Sequence, residues 1–331
     1  MTSWRRCLRT AVLPVVLAAA GTAGADGIGA SGSQHLAQAD GPAEPAPGRV
    51  VVTEAEAERA LERALVQAGG LLLPAGEVEL EPSLRYARRE NAVPTFFTRE
   101  GETLLGEARR NADELTADLA LRVGLPGDSQ LEFGLPYRWR RLEQVQEIGG
   151  SPIGASSRTG AGTGNLRVGL AKTLLREAPG RPDLVARLRW DTRSGTARDD
   201  GVAIASDFDA ARLSLTAIKR QDPLVFLGAI AYEHVFEHDG VQPGAAISPS
   251  LGAFLAVSPQ TSMRLAFSLG FTDEAEVDGE TVAGSDATAA TLTLGGSSLL
   301  APGMLLDLSV DIGLTADADD VALRLALPIR F

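Results

Sequence analysis

From Val321 to Phe331 the chain alternates without exception: Val321, Leu323, Leu325, Leu327, Ile329 and Phe331 are apolar, while Arg324 and Arg330 share the opposite face with Ala322 and Pro328. Successive strand residues point to opposite sides, so this segment is greasy on one side and able to hold charge on the other. It finishes on an aromatic residue. A strand of this kind, with one face in hydrocarbon and the other in water, is the form expected of the closing strand of an outer-membrane barrel.

The amino-terminal residues point to export. Arg5, Arg6 and Arg9 precede an apolar stretch from Ala11 to Ala20, followed by the small residues Ala23, Gly24 and Ala25, the pattern of a cleavable secretory signal over residues 1–25. No later stretch approaches the ~20 uninterrupted apolar residues of a spanning helix. The single cysteine, Cys7, lies inside the signal, so the mature chain is expected to have neither disulfide nor thiol chemistry. The formal charge of −12 becomes more negative once the three signal arginines leave, which excludes nucleic acid as a partner. A hydrophobic content of 44% with 36 Gly and 18 Pro suits strands whose lipid-facing and lumen-facing positions average out.

Residues 26–52 are rich in Gly, Ala, Ser and Pro without periodicity and read as a flexible periplasmic linker. Over residues 53–73 the period becomes helical: Thr53 and Glu56 form a capping-box pattern, and Leu61, Ala64, Leu65 and Ala68 lie on one stripe before Gly69 and Gly70. A helix this short needs a partner for its apolar face, and it is a candidate plug or gate. From residue 76 to 331 the period is two, in about twelve segments, giving an all-β, antiparallel transmembrane barrel. Short connections centre on Pro126-Gly127-Asp128, Ala178-Pro179-Gly180, Gln221-Asp222-Pro223, Ser258-Pro259-Gln260 and Ala301-Pro302-Gly303. Between them longer ones are expected at Asn91–Gly101, Leu142–Gly162, Arg193–Ser206, His238–Pro243, Thr272–Asp286 and Thr315–Asp320. Short periplasmic turns alternating with long outer loops are the outer-membrane arrangement.

Charge opposite a lipid-facing apolar row must face the lumen. The candidate lumen-lining residues are Glu79, Glu81, Arg85, Asp118, Arg122, Glu132, Arg138, Arg140, Arg167, Arg187, Arg189, Arg264, Asp307, Asp311, Arg324 and Arg330. They fit a charged, water-filled path that selects solutes, or cross-strand ion pairs in a filled barrel. Tyr86, Tyr137, Trp139, Trp190, Phe236 and Phe271 fall at outer strand ends, as in an interfacial belt. Neither His234 nor His238 is accompanied by a nucleophile motif, and no catalytic residue, cofactor or metal site is expected. Asp317, Asp319 and Asp320, with the acidic stretch Thr272–Asp286, motivate a second reading in which the barrel is structural or adhesive and its loops bind Ca²⁺. Their spacing matches no Ca²⁺ loop of known geometry.

Two stretches carry a resemblance. Residues 60–90, ALERALVQAGGLLLPAGEVELEPSLRYARRE, resemble the helix-to-first-strand junction of the outer-membrane channel that secretes functional amyloid subunits. Residues 162–170, GTGNLRVGL, and 313–331, GLTADADDVALRLALPIRF, are similar to motifs of the phenol-degradation-associated outer-membrane channel family. The resemblance implies a twelve-stranded barrel, a homotrimer, and an amino-terminal helical plug, although this chain has a single short helix where the amyloid channel has more. The expected function is an outer-membrane channel passing a small hydrophobic compound or an unfolded amyloid subunit. Its expected partners are outer-membrane lipid and the barrel assembly machinery, the latter through Phe331.

Overall fold

The structure, a computed structural model, describes residues 71–99, 102–148, 151–221, 223–258 and 260–331. The signal, the linker and the candidate gate residues Leu61, Ala64, Leu65 and Ala68 lie outside them. The described chain forms one closed antiparallel barrel of twelve strands. They are β1 (Val78–Arg99), β2 (Glu102–Leu125), β3 (Ser129–Ile148), β4 (Ser151–Thr163, resuming at Arg167–Leu175), β5 (Asp183–Asp191) and β6 (Ala210–Gln221). The circuit continues through β7 (Leu224–Val235), β8 (Ala246–Ser258), β9 (Thr261–Thr272), β10 (Ala287–Ala301), β11 (Met304–Gly313) and β12 (Val321–Ala326, resuming at Ile329–Arg330). Each strand pairs with its neighbours in sequence, and β12 closes on β1 with Ser83 opposite Ala326 and Glu79 opposite Arg330.

Prolines explain both interruptions. Pro328 offers no N–H to the ladder, so β12 lapses at Leu327 and Pro328, while the Pro328 carbonyl still accepts from Leu305 and the register resumes unshifted. In β3, Pro136 cannot donate toward β4. The Pro136 carbonyl accepts from Gly164 at 2.8 Å, and β4 breaks there, which gives the following loop its way into the barrel. At the tight turn between β10 and β11, Pro302 is followed by Gly303 at φ 77°, a left-handed conformation that glycine adopts without strain.

The outward face is apolar. Leu119, Leu135, Leu188, Leu213, Ile230, Leu251, Leu265, Leu308 and Leu323 are among its exposed side chains. A contiguous band of this kind is far larger than a soluble monomer exposes, and it matches a surface bathed in hydrocarbon.

Two expected loops are strand instead. β1 and β2 pair as far as Arg99 opposite Glu102, and β3 and β4 as far as Ile148 opposite Ser151, so the segments read as long connections at 91–101 and 142–162 are mostly hairpin. A period-two reading depends on one face being in lipid. Beyond the apolar band both faces meet water, and cross-strand or same-strand ion pairs such as Arg109 with Glu147, and Arg141 with Glu143, replace the hydrophobic alternation. The connections at 192–209, 236–245, 273–286 and 314–320 are loops, placed at the same barrel end as those hairpins.

Placing charge on the outer face tests the assignment of sides. Leu119→Arg, at mid-height of β2, is expected to destabilise the barrel by about 2–4 kcal/mol, read as a lowered urea midpoint for unfolding from lipid vesicles. An unchanged midpoint would show that this face is not in lipid.

Candidate functional site: the barrel lumen

Backbone register assembles the inner face. A single register row runs Arg330, Glu79, Arg122, Glu132, Gly169, Arg189, Arg212, Glu233 across β12, β1, β2, β3, β4, β5, β6 and β7. Signs alternate along its first four members, so directly opposed side chains attract. Arg122 contacts Glu79 at 2.5 Å and Glu81 at 2.8 Å, and Arg330 contacts Glu79 at 3.3 Å. The Glu81 contact lies off the N–H axis, since its Oε2 has no hydrogen-bond partner; it is an ion pair and nothing more. Glu81 also accepts from Arg324 at 2.5 Å.

Two glycines let arginines reach carboxylates two strands away. Arg167 of β4 passes over Gly134 of β3 to Asp118 of β2, and Arg264 of β9 passes over Gly295 of β10 to Asp307 of β11 at 2.9 and 3.0 Å. Arg187 of β5 also reaches past β4, meeting Glu132 of β3 at 2.9 Å. A Cβ at Gly134 or Gly295 would stand 2.8 Å from the crossing arginine. At buried positions such pairs are costly to break on one side only.

All sixteen lumen candidates therefore lie on the inner face, and most join ion pairs there. Asp311 instead accepts from the Thr293 hydroxyl at 2.7 Å. Sequence reasoning missed Glu114, Arg212 and Glu233, although each follows the strand parity of residues it did identify. Glu114 lies 3.8 Å from Arg138 and 3.9 Å from Arg140, and Glu233 bridges Arg189 and Arg212 at 3.6 and 3.2 Å.

Both mouths are narrowed. At the turn end, Leu71–Pro74 runs without regular structure into the barrel. The Leu73 N–H donates to Gln130 Oε1 at 2.9 Å, and the Pro74 carbonyl sits where a Cβ at Gly124 would be. Leu71 and Leu72 pack on an inner-face cluster of Val185, Ile218, Val225 and Phe254, beside a cavity of ≈ 660 Å³ reached by Arg176, Asp183, Arg220 and Arg330. A hydrogen bond to Asp128 holds the exposed Arg176 guanidinium above its ordinary pKa. At the loop end, residues 192–209 fold inward. Arg138 donates to the Ile204 carbonyl at 2.9 Å and Arg140 to that of Ala203 at 3.3 Å, with Val202 and Ile204 buried and Gly160 leaving room beneath them. Between the mouths, a cavity of ≈ 280 Å³ is bordered by Glu81, Asp118, Arg122, Glu132, Arg167, Arg187, Arg189 and Arg324.

The clustered aspartates are partnered within the chain. Asp319 pairs with Arg85 at 2.7 Å, Asp317 lies 3.7 Å from Arg89, and the Asp320 carboxylate accepts the Glu90 N–H at 2.6 Å. Among the described residues no group of three or more His, Cys, Asp or Glu is placed to hold a metal, at the 315–320 tip or elsewhere. The ring of His234 stands edge-on to Phe236, which packs on Trp190 with centroids 5.0 Å apart. His238 faces Asp239 at 3.3 Å.

No protein-family model matches the chain. Among solved structures it is similar to an outer-membrane channel from Pseudomonas putida F1, with a TM-score of 0.59 at 14% identity over 79% of this chain and 97% of that one. The chain has the fold of an outer-membrane barrel. Looser likenesses are to the translocator domain of the autotransporter NalP from Neisseria meningitidis (TM-score 0.45, 11% identity, 85% of this chain and 99% of that) and to the toluene transporter TodX from P. putida (TM-score 0.37, 10% identity, 78% of this chain and 89% of that). Within this barrel the ion pairs run along the wall, and each arginine that crosses a glycine ties strands that are not neighbours.

Asp307 is almost completely buried and Arg264 nearly so. Arg264→Leu leaves that carboxylate without its partner and is expected to cost about 3–5 kcal/mol in urea unfolding. Adding Asp307→Leu is expected to recover most of the loss, since both charges then go together. A double variant no more stable than the single one would show that the pair is not the unit.

Proposed function

We propose that the protein is a channel of the Gram-negative outer membrane through which a small solute crosses by way of the polar lumen, with Leu71–Pro74 restricting the periplasmic mouth. The observation that carries this reading is the charged inner belt, bordering a cavity inside a closed barrel whose outer face is apolar. Charged side chains in such a setting are expensive unless they serve a water-filled path or one another. The turn end faces the periplasm, as short turns and both ends of a twelve-stranded barrel do.

The inward loop 192–209 and the narrowed turn-end mouth favour a small solute over an unfolded polypeptide. A structural barrel with a filled lumen is the competing reading, supported by the ion pairing of the inner wall. Conductance separates the two. The full chain refolded into planar bilayers is expected to flicker. Leu71→Asp/Leu72→Asp, which removes the apolar seat worth at least ~1.4 kcal/mol, is expected to raise the open probability by about tenfold. If neither protein conducts, the lumen is filled and the structural reading replaces the channel.

A further inference from the structure

The lumen has two unlike walls. Followed beyond Glu233, the row that carries charge from β12 to β7 continues through Ala246, Thr272 and Ala287. By the same parity, the inner faces of β8 and β10 bear no charged side chain. β9 bears one, Arg264, which is turned to Asp307. These strands stand across the barrel from β2, β3 and β4, where Asp118, Arg122, Glu132 and Arg167 lie. Toward the turn end the uncharged wall becomes apolar at Phe254 of β8, beside Val225 of β7.

On the charged wall the sign facing the lumen is positive. In each pair of the central belt the guanidinium is more exposed than its carboxylate: Arg324 at 34% against Glu81 at 2%, Arg167 at 32% against Asp118 at 21%, and Arg189 at 34% against Asp191 at 23%. The acids lie against the backbone and the arginines over them. The central cavity is bordered by five guanidiniums and three carboxylates, and the buried Nε of Arg167 has no acceptor. A fixed field of one sign on one side of a low-dielectric path concentrates counter-ions there, while a facing wall of small uncharged residues offers an apolar body a surface without a desolvation cost.

We infer that the permeant is a small amphipathic organic anion, a carboxylate on an apolar body, whose carboxylate is handed along the arginine wall while its body lies against the inner faces of β8 to β10. This rests on the channel reading proposed above and names the solute class for it. An uncharged hydrocarbon would leave the guanidiniums unused, and an amphipathic cation would be repelled by them.

The test uses the full chain and its Leu71→Asp/Leu72→Asp form in planar bilayers, with hexanoate, hexylammonium and hexanol as probes. Under a KCl gradient the reversal potential is expected to show preference for chloride. Hexanoate is expected to interrupt the chloride current at about tenfold lower concentration than hexylammonium or hexanol. Arg189→Gln on the charged wall, and Ser250→Asp on the uncharged one, are each expected to abolish that difference; the second variant adds charge without breaking an ion pair. A conducting protein that prefers potassium, or that responds equally to hexanoate and hexylammonium, overturns the inference and leaves the channel standing. Absence of conductance in both forms overturns the channel reading itself, and this inference with it.

Discussion

Everything in this molecule depends on closing one hydrogen-bond ladder. In hydrocarbon an unpaired N–H or carbonyl costs several kcal/mol, so an outward face as apolar as this one is tolerable only where no strand edge remains. The closure is made by the least regular strand, β12, which is short, interrupted at Pro328, and joined to β1 by a register that sets Arg85 opposite Arg324. Two like charges facing each other would weaken the seam. Each is drawn instead to a carboxylate on another segment, Arg85 to Asp319 and Arg324 to Glu81. The loop at 314–320 thus helps to hold the seam together, and its acidic residues answer to the arginines of β1.

The second constraint follows from the first. Once the wall is closed, inward side chains either fill the space or leave a path, and here glycines decide which. Gly134 and Gly295 lower the wall at two points so that arginines can lie flat across it. A longer side chain at either position would lift the guanidinium toward the axis. The charged belt is therefore thin, and a cavity persists beside it where a barrel of this strand number could otherwise have been filled.

The twelve strands, their parity and the sixteen inward residues were legible because lipid enforces a strict two-residue period on whatever it touches. What lay outside the lipid was not. The hairpin extensions of β1 to β4 carry Arg and Glu on both faces and read as loops. The inward course of residues 192–209 follows from Pro136 breaking the ladder with β4 and from Gly160 leaving space, neither of which a single segment reveals. Leu71 and Leu72 looked like the tail of a helix. Their packing on Val185, Ile218, Val225 and Phe254 joins strands far apart in sequence, visible only once β5 to β8 stand side by side.

The two restrictions at the mouths differ in how they are held, and the difference says where the proposed channel opens. Residues 192–209 are tethered at both ends to β5 and β6, receive two hydrogen bonds from charged donors, and bury Val202 and Ile204 completely or nearly so. Hydrogen bonds to charged groups contribute about 1.5–3 kcal/mol each, so this loop is part of the wall. Among the described residues, Leu71–Pro74 continues into the barrel wall only through β1. It rests on one neutral side-chain hydrogen bond from Leu73 and on two leucines that are only partly buried, and the leucines lie on an apolar patch that would otherwise face the path. A solute with an apolar body competes for that same patch. Under the proposed function, a solute seated on Val225 and Phe254 and the seated Leu71–Leu72 would exclude each other, so the arriving solute would itself displace the segment that restricts its exit.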